Sequence, residues 1–291
     1  MTVWEYLKGF MAAYRNRTAF GGNETLTYSQ LIELVETRAE GINGKHRLIA
    51  SCTQCKREQA IELLSILASG NAAVPMSKAS NIIYPGPESA ESSNTDKEPA
   101  LIMYTSGTSG GQKGVMLSHK NIISNIDSIR DYFEVSPGER LLIVRPLSHA
   151  SALVGELLAG LTLGLTFFFF EEQFSPKRLI SCINKYKIQV LCATPTIFYH
   201  IAVSKDNANQ SESPGFSTLK TCVISGERLT QHRAAIIQSR MQTADFYHVY
   251  GLTEHSPRAR ALMQDEFINK PTSIGLPING VEFRIVDDEL L

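Results

Sequence analysis

A run of hydroxyl, glycine and lysine side chains is the part of the chain best suited to chemistry. Residues 104–115 read YTSGTSGGQKGV, with four serine or threonine residues and three glycines ahead of one lysine. Glycine lets a backbone approach a ligand closely because it has no Cβ, and successive N–H groups in turns form a concave anion site. Lys113 adds a positive charge. The segment therefore predicts a binding site for a phosphate chain.

Two other interpretations of this segment compete with a phosphate site. The residues 107–111 satisfy the pattern G-x-S-x-G of serine hydrolases, with Ser109 as the nucleophile. A flexible Gly/Ser turn without a ligand is the second alternative. A Walker A motif is excluded because Gln112 precedes Lys113 and a glycine follows it.

A second segment combines an aromatic strand end with a hydroxyl and a carboxylate. Residues 247–254 read YHVYGLTE. An aromatic ring at a strand end can stack on a purine, and Mg²⁺ prefers one or two carboxylates together with phosphate oxygens. The segment therefore predicts that Tyr250 contacts a base and that Glu254 binds a metal. An ordinary strand exit is the alternative.

The two segments, in this order, resemble signature motifs of the adenylate-forming (AMP-binding) superfamily. Residues 104–114 are similar to Y-T-S-G-T-[ST]-G-x-P-K-G, with Gln112 in place of the usual proline, and residues 250–254 match Y-G-x-T-E. Three further segments are similar to motifs of the acyl-CoA synthetase and acyl-acid ligase branch: PLSH at 146–149, SGERL at 225–229 and GLPINGV at 275–281. The resemblance covers nearly the whole chain.

The resemblance implies a role for individual residues. Lys113, His149, Thr253 and Glu254 are the implied catalytic residues: Glu254 holds Mg²⁺, Thr253 contacts the α-phosphate, and His149 flanks the acyl site. The implied nucleotide-binding residues are Thr105, Ser106, Gly107, Thr108, Ser109, Gly110, Lys113, Gly226, Glu227, His248, Tyr250, Gly251 and Thr253. For His248, a packing role is an equal alternative.

The implied reaction is the ATP-dependent activation of a carboxylic acid as acyl-AMP, followed by transfer to the thiol of CoA or of a phosphopantetheine on an acyl carrier protein. A fatty or aryl acid is favoured over an α-amino acid because residues 150–152 read ASA. A buried ammonium at that point would lack a carboxylate partner. Phe198, Tyr199 and Val249 are candidates for an apolar acyl pocket, or for core. The rival function is a non-catalytic module that binds nucleotide.

Hydrophobic patterning predicts an α/β fold with a largely parallel sheet. Strands are expected at 100–105, 141–146, 165–170, 188–193, 220–225, 245–249 and 281–286. Helices are expected at 28–42, 57–70, 118–132, 150–161, 175–187, 195–204 and 230–241, and polar loops at 84–99 and 206–215.

The resemblance implies the layered αβαβα large domain of the family. Residues 1–99 would form a trimmed first lobe and residues 100–291 the part that binds nucleotide and acyl group. The family's small, mobile C-terminal domain is expected to be missing, so that the chain alone would be weakly active or inactive.

Composition indicates a soluble cytoplasmic protein. The 291 residues carry a net charge of −1, which gives no sign of nucleic-acid binding. The longest apolar run, 161–170, is too short to span a membrane. Five scattered cysteines argue against a disulfide framework, and Cys52 and Cys55 are expected to be buried free thiols rather than zinc ligands. Oligomeric state is not indicated.

Overall fold

The computed structural model describes residues 1–77, 98–106, 112–204, 216–286 and 289–290, with backbone alone at 106, 112, 289 and 290. The α-helices are α1 (Val3–Met11), α2 (Tyr28–Glu40), α3 (Lys56–Ala68), α4 (His119–Tyr132), α5 (Ala150–Ala152), α6 (Ala159–Thr162), α7 (Pro176–Tyr186), α8 (Pro195–Ala202), α9 (Gln231–Arg240) and α10 (Gln264–Phe267). A π-helical segment, Leu153–Leu158, joins α5 to α6.

The strands are β1 (Thr18–Phe20), β2 (Leu26–Thr27), β3 (Leu48–Ser51), β4 (Ala72–Pro75), β5 (Pro99–Ser106), β6 (Gln112–Ser118), β7 (Arg140–Ile143), β8 (Thr166–Phe169), β9 (Val190–Ala193), β10 (Thr221–Ser225), β11 (Asp245–Tyr250), β12 (Arg260–Leu262), β13 (Leu276–Pro277), β14 (Ile285–Val286) and β15 (Glu289–Leu290). The polar loops predicted at 84–99 and 206–215 fall almost entirely outside the described residues.

The main sheet has nine strands within the described part of the chain, in the order β13-β12-β11-β10-β9-β7-β8-β1-β2. Its centre is parallel, as predicted: β8, β7, β9, β10 and β11 pair in the same direction. A smaller sheet has the order β3-β4-β5-β6 and ends in the antiparallel hairpin β5–β6. Strand β14 is shorter than the strand predicted at 281–286.

The central strands are buried on both faces. Along β9 and β10, Cys192 and Val223 belong to one apolar cluster, to which α1–α4 and the π-helical segment also contribute. Leu191 and Ile224 belong to the cluster on the other face, to which α7, α8 and α9 contribute. This alternation follows from the two-residue period of a strand. Helices on both faces explain why these strands are almost continuously apolar.

The helical layer of α1–α4 and the π-helical segment also packs on the smaller sheet, through Ala73, Leu101 and Met103. The opposite face of that sheet has a small cluster around Val74, Met76 and Ile102, to which none of the described helices contributes. The α/β class and layered architecture are therefore confirmed, and the described residues supply four of the five predicted layers.

Local sequence signals set the helix starts. Ser118 accepts a hydrogen bond from the backbone of Asn121 in a capping box at the start of α4. Ser175 caps α7 directly before a proline, and Thr194 caps α8 in the same way. These caps place the helix N-termini within a residue or two of the predicted positions.

Cysteine exposure differs from the prediction. All five cysteines are free, as expected, but Cys52 and Cys55 are exposed. They lie in the connection between β3 and α3, where Cys55 is the N-cap residue. The apolar character of a thiol does not bury it in a surface connection.

Candidate active site

The predicted phosphate segment connects two antiparallel strands, β5 and β6. Thr105 pairs with Lys113 and Ser106 pairs with Gln112 across the end of β5–β6. Lys113 is exposed at the start of β6, a strand that the sequence did not predict. Four predicted ligands, Gly107, Thr108, Ser109 and Gly110, lie outside the described residues.

The elements that flank Ser109 in the sequence test the alternative that this residue is the nucleophile of a serine hydrolase. A nucleophile elbow requires a helix directly after the serine. Here β6 follows the turn, and α4 begins only after it, at His119. The next described element after Ser109 is therefore a strand, which argues against Ser109 as the nucleophile of a hydrolase.

The Y-G-L-T-E segment forms the end of β11 and a 3₁₀ turn. Tyr250 ends the strand half-buried, and Thr253–His255 form the turn with Glu254 exposed. Gly251 is required between them, because a Cβ at this position would lie 1.7 Å from the carbonyl oxygen of Pro257. The backbone at Gly251 therefore lies in close contact with the backbone of Pro257, next to the turn that carries Glu254.

The fold brings the two motifs together. Residues of β6 and of the 3₁₀ turn Thr253–His255 approach within 8 Å between Cα atoms, although Lys113 and Glu254 are far apart in sequence. A polar cleft of about 270 Å³ lies between α4 and the turn, and Lys120, Glu254 and Asn279 are among its lining residues. The strand that carries Lys113 therefore lies next to the turn that carries Glu254.

The predicted adenine-binding residues lie side by side. Strands β10 and β11 are parallel, and Ser225 pairs with Val249, so Gly226 and Tyr250 follow together at the carboxyl ends of the strands. Ligands of open α/β sheets bind at this edge. Gly226 has a φ of +89°, a conformation that favours glycine, and Glu227 accepts a hydrogen bond from Thr196 Oγ1 at 2.5 Å.

The two predicted histidines differ in environment. His248 is buried, and its Nδ1 lies 2.7 Å from the carbonyl oxygen of Ser273. Burial lowers the pKa of His248, and this hydrogen bond acts in the opposite direction. These contacts provide a packing role, and a contact with adenine stays a prediction. His149 is exposed at the N-cap of α5, and partial desolvation and the charge of Arg145 lower its pKa.

Two of the three apolar candidates for an acyl pocket are buried in core clusters. Phe198 lies wholly inside the cluster of α7, α8 and α9, and Val249 belongs to the cluster on the opposite face. Tyr199 is half-buried, with the guanidinium of Arg233 5.6 Å from the centre of its ring. The core interpretation therefore has direct support for Phe198 and Val249.

Sequence reasoning missed a buried charged group next to His149. Arg145 Nη2 donates to Glu156 Oε1 at 2.6 Å, and both side chains are buried. Burial raises the pKa of Glu156, while Arg145 and the buried Arg258 act in the opposite direction. One signal was present: Glu156 is the single Asp, Glu, Lys or Arg between residues 146 and 170.

The residues present fit a magnesium ion bound together with a phosphate chain. The described part of the chain contains no group of three or more His, Cys, Asp or Glu able to hold a metal. A Mg²⁺ at Glu254 would take its other ligands from phosphate oxygens and water, which is the ligand set that this ion prefers.

Comparison with known proteins identifies the family. A family model described as AMP-binding enzyme matches residues 67–291. The chain belongs to the AMP-binding enzyme family. One curated relative is the mitochondrial medium-chain acyl-CoA ligase ACSF2 of Rattus norvegicus, 30% identical over 197 residues that cover 66% of this chain and 31% of the relative. The chain aligns with only about a third of the length of the first such relatives.

Solved structures of AMP-binding enzymes share the fold. The inhibitor-bound N-terminal domain of FACL13 from Mycobacterium tuberculosis matches with a TM-score of 0.82 at 17% identity, covering 100% of this chain and 86% of that one. o-Succinylbenzoate CoA synthetase from Bacillus subtilis, in complex with its acyl-adenylate intermediate, matches with a TM-score of 0.79 at 18% identity, covering 100% and 85%. The predicted superfamily is therefore confirmed, and the individual site residues remain predictions.

Proposed function

We propose that the protein activates a carboxylic acid with ATP, forming acyl-AMP and pyrophosphate, for transfer to the thiol of CoA or of a carrier-protein phosphopantetheine. The observation that carries the proposal is the approach of β6, with Lys113, to the turn that carries Glu254. Family membership and relatives that are acyl-CoA ligases support acid activation in general.

Each predicted site residue would have its own role in this reaction. A carboxylate oxygen of the acid attacks the α-phosphorus, and the bond to the pyrophosphate oxygen breaks. Such a transfer needs alignment and neutralisation of phosphate charge more than covalent help. Lys113 would contact the departing phosphates, Thr253 would donate a hydrogen bond to the α-phosphate, and Tyr250 would stack on adenine against Gly226 and Glu227. A bound Mg²⁺ would supply further neutralisation of phosphate charge.

The nature of the acid follows from the residues after His149. Ala150, Ser151 and Ala152 offer no carboxylate, and the buried Glu156 is already paired with Arg145. A substrate ammonium would therefore lack a dedicated partner. We propose a fatty or aryl acid rather than an α-amino acid. We also propose a metabolic role in the cytoplasm, a reducing compartment in which the five free cysteines would stay unpaired. The described residues include no helix long and apolar enough to cross a membrane.

The experiment is nucleotide binding and pyrophosphate exchange with Lys113→Ala. Loss of a charge-assisted contact to phosphate should weaken ATP and pyrophosphate binding by about 1.5–3 kcal/mol, or roughly tenfold to a hundredfold. The exposed Lys270 provides a matched control as Lys270→Ala. Unchanged nucleotide affinity in Lys113→Ala would refute the phosphate site.

Pyrophosphate exchange distinguishes acid activation from the alternative of a non-catalytic nucleotide-binding module. ATP-dependent exchange that is stimulated by fatty or aryl acids, and not by their α-amino analogues, supports acid activation. Binding of ATP and of an acyl-adenylate analogue without any exchange would favour a non-catalytic nucleotide-binding module.

A further inference from the structure

Three charged side chains from distant parts of the chain meet inside the protein. Arg145 follows β7, Glu156 lies in the π-helical segment, and Arg258 follows the turn that carries Glu254. They are 8%, 1% and 3% exposed. The side chain of Arg258 packs directly against Gly155, since a Cβ at that glycine would lie 2.9 Å from Arg258 Nη2. We call Arg145, Glu156 and Arg258 the buried charge cluster.

The buried charge cluster has an excess of positive charge and of unpaired atoms. Two guanidinium groups face one carboxylate. Arg145 Nε, Arg258 Nε and Glu156 Oε2 have no hydrogen-bond partner among the described residues. The Tyr132 hydroxyl contacts Arg258 but is neutral at pH 7, since the ordinary tyrosine pKa is about 10 and burial raises it further. Buried charges are costly unless paired, so atoms of this kind call for a partner beyond those that the described residues supply.

The buried charge cluster adjoins Gly226 and the helical stretch that begins after His149. Arg145 Nη1 lies 3.5 Å from the position that a Cβ of Gly226 would occupy, and Gly226 is part of the proposed adenine wall. Glu156 follows His149 by seven residues within the same helical stretch. The cluster therefore lies between the helix that begins at His149 and the carboxyl ends of the central strands.

We infer that the acid bound at this site carries a second acidic group, which Arg145 and Arg258 bind at the end remote from the reacting carboxylate. This inference rests on the proposed function and narrows its substrate class from fatty or aryl acids in general to those that end in an anion. A carboxylate accepts two parallel hydrogen bonds from a guanidinium group. It would add the negative charge that balances the second arginine. Glu156 acts as a positioning residue that orients Arg145.

The test compares non-hydrolysable acyl-adenylate analogues that differ only in the distal group. Adipoyl and hexanoyl sulfamoyladenosine form one matched pair, and 4-carboxybenzoyl and benzoyl sulfamoyladenosine form another. Titration calorimetry on the whole chain should show at least about tenfold tighter binding of the dianionic member in one pair, as expected for a charge-assisted pair of hydrogen bonds.

The outcomes distinguish this inference from the proposed function. Equal or tighter binding of the monoacid member in both pairs would overturn the inference while leaving acid activation intact. Failure of ATP and of every analogue to bind would overturn both.

Substitutions that leave no buried charge without a partner keep the test independent of folding. Arg145→Met alone leaves Glu156 buried without its partner, which destabilises a protein strongly. The triple variant Arg145→Met with Glu156→Leu and Arg258→Met removes all three buried charges, and such replacements are often neutral for stability. We expect this variant to retain the wild-type Tm and its ATP affinity and to lose the preference for the dianionic analogue. Arg258→Met should lose the same preference. A preference that survives in both variants would refute the assignment.

Discussion

Asn125 holds Arg258 by both of its backbone groups. Asn125 Nδ2 donates to the carbonyl oxygen of Arg258 at 2.7 Å, and the backbone N–H of Arg258 donates to Asn125 Oδ1 at 3.3 Å. Asn125 Nδ2 also donates to the carbonyl oxygen of His255 at 3.1 Å. One side chain on α4, the helix that follows the phosphate segment, therefore fixes the chain on both sides of the Ser256–Pro257 peptide, next to Glu254.

Asn125→Ala is expected to lower the free energy of unfolding by about 2–4 kcal/mol, because it leaves buried backbone groups without partners. The same change should weaken the Mg²⁺-dependent binding of ATP, since the turn with Glu254 loses its anchor. Urea unfolding and calorimetry measure the two effects. Asn269→Ala is the control, as this exposed side chain donates a hydrogen bond to the carbonyl oxygen of Asp265 at 3.5 Å and lies outside the polar cleft that Glu254 lines. Equal effects of the two substitutions would contradict the anchoring role.

Glu254→Gln should reduce the part of ATP binding that depends on Mg²⁺ and leave the binding of AMP without metal unchanged. The amide keeps the size of the side chain but is a poorer ligand for a hard cation. Titrations of ATP with Mg²⁺ and with EDTA measure the difference. Glu266→Gln, at another exposed position, is the control. Equal losses with and without Mg²⁺ would instead indicate a structural role for Glu254.

Gly251→Ala should prevent the native turn from forming. Its Cβ would overlap the carbonyl oxygen of Pro257, and both atoms belong to backbone segments held in place by β11 and Asn125. We expect a loss of at least about 3 kcal/mol of stability, or no soluble protein at all. Gly9→Ala is the matched control: nothing lies within 4 Å of its Cβ position in α1, so alanine should stabilise the helix by roughly 0.5–1 kcal/mol. A well-folded Gly251→Ala with unchanged Tm would contradict the close approach.

His119 is expected to make stability depend on pH. Its Nδ1 accepts a hydrogen bond from the backbone N–H of Val3 at 3.1 Å, and burial lowers its pKa. The folded protein therefore binds the proton less readily than the unfolded chain. This stability is fully present above the ordinary histidine pKa of about 6.5 and is lost as the pH falls through that value toward the lower pKa of the folded state.

Urea unfolding at a series of pH values between about 8 and 5 tests the role of His119. His119→Gln should flatten the decline at acid pH, although His149 and His248, whose pKa values are also lowered, keep part of it. An identical slope in His119→Gln and in the wild type would show that the pKa of His119 does not change on folding.

The sequence predicted most of the central fold because the signals for it are local. Ser118 and the pair Ser175–Pro176 mark helix starts by satisfying backbone groups within the first turn. The apolar strands of the parallel sheet are recognisable from a few adjacent residues. The two motifs around Lys113 and Glu254 likewise indicate a phosphate site and its family from short stretches of sequence.

What only the tertiary structure decided depends on pairing between distant residues. Strand β6 exists because it pairs with β5, and its own sequence resembles the end of a loop. The approach of β6 to the Glu254 turn, the grip of Asn125 on Arg258 and the meeting of Arg145, Glu156 and Arg258 each join segments at least eleven residues apart, and mostly more than a hundred. No local pattern encodes such contacts, since they arise from strand register and helix packing across the whole domain.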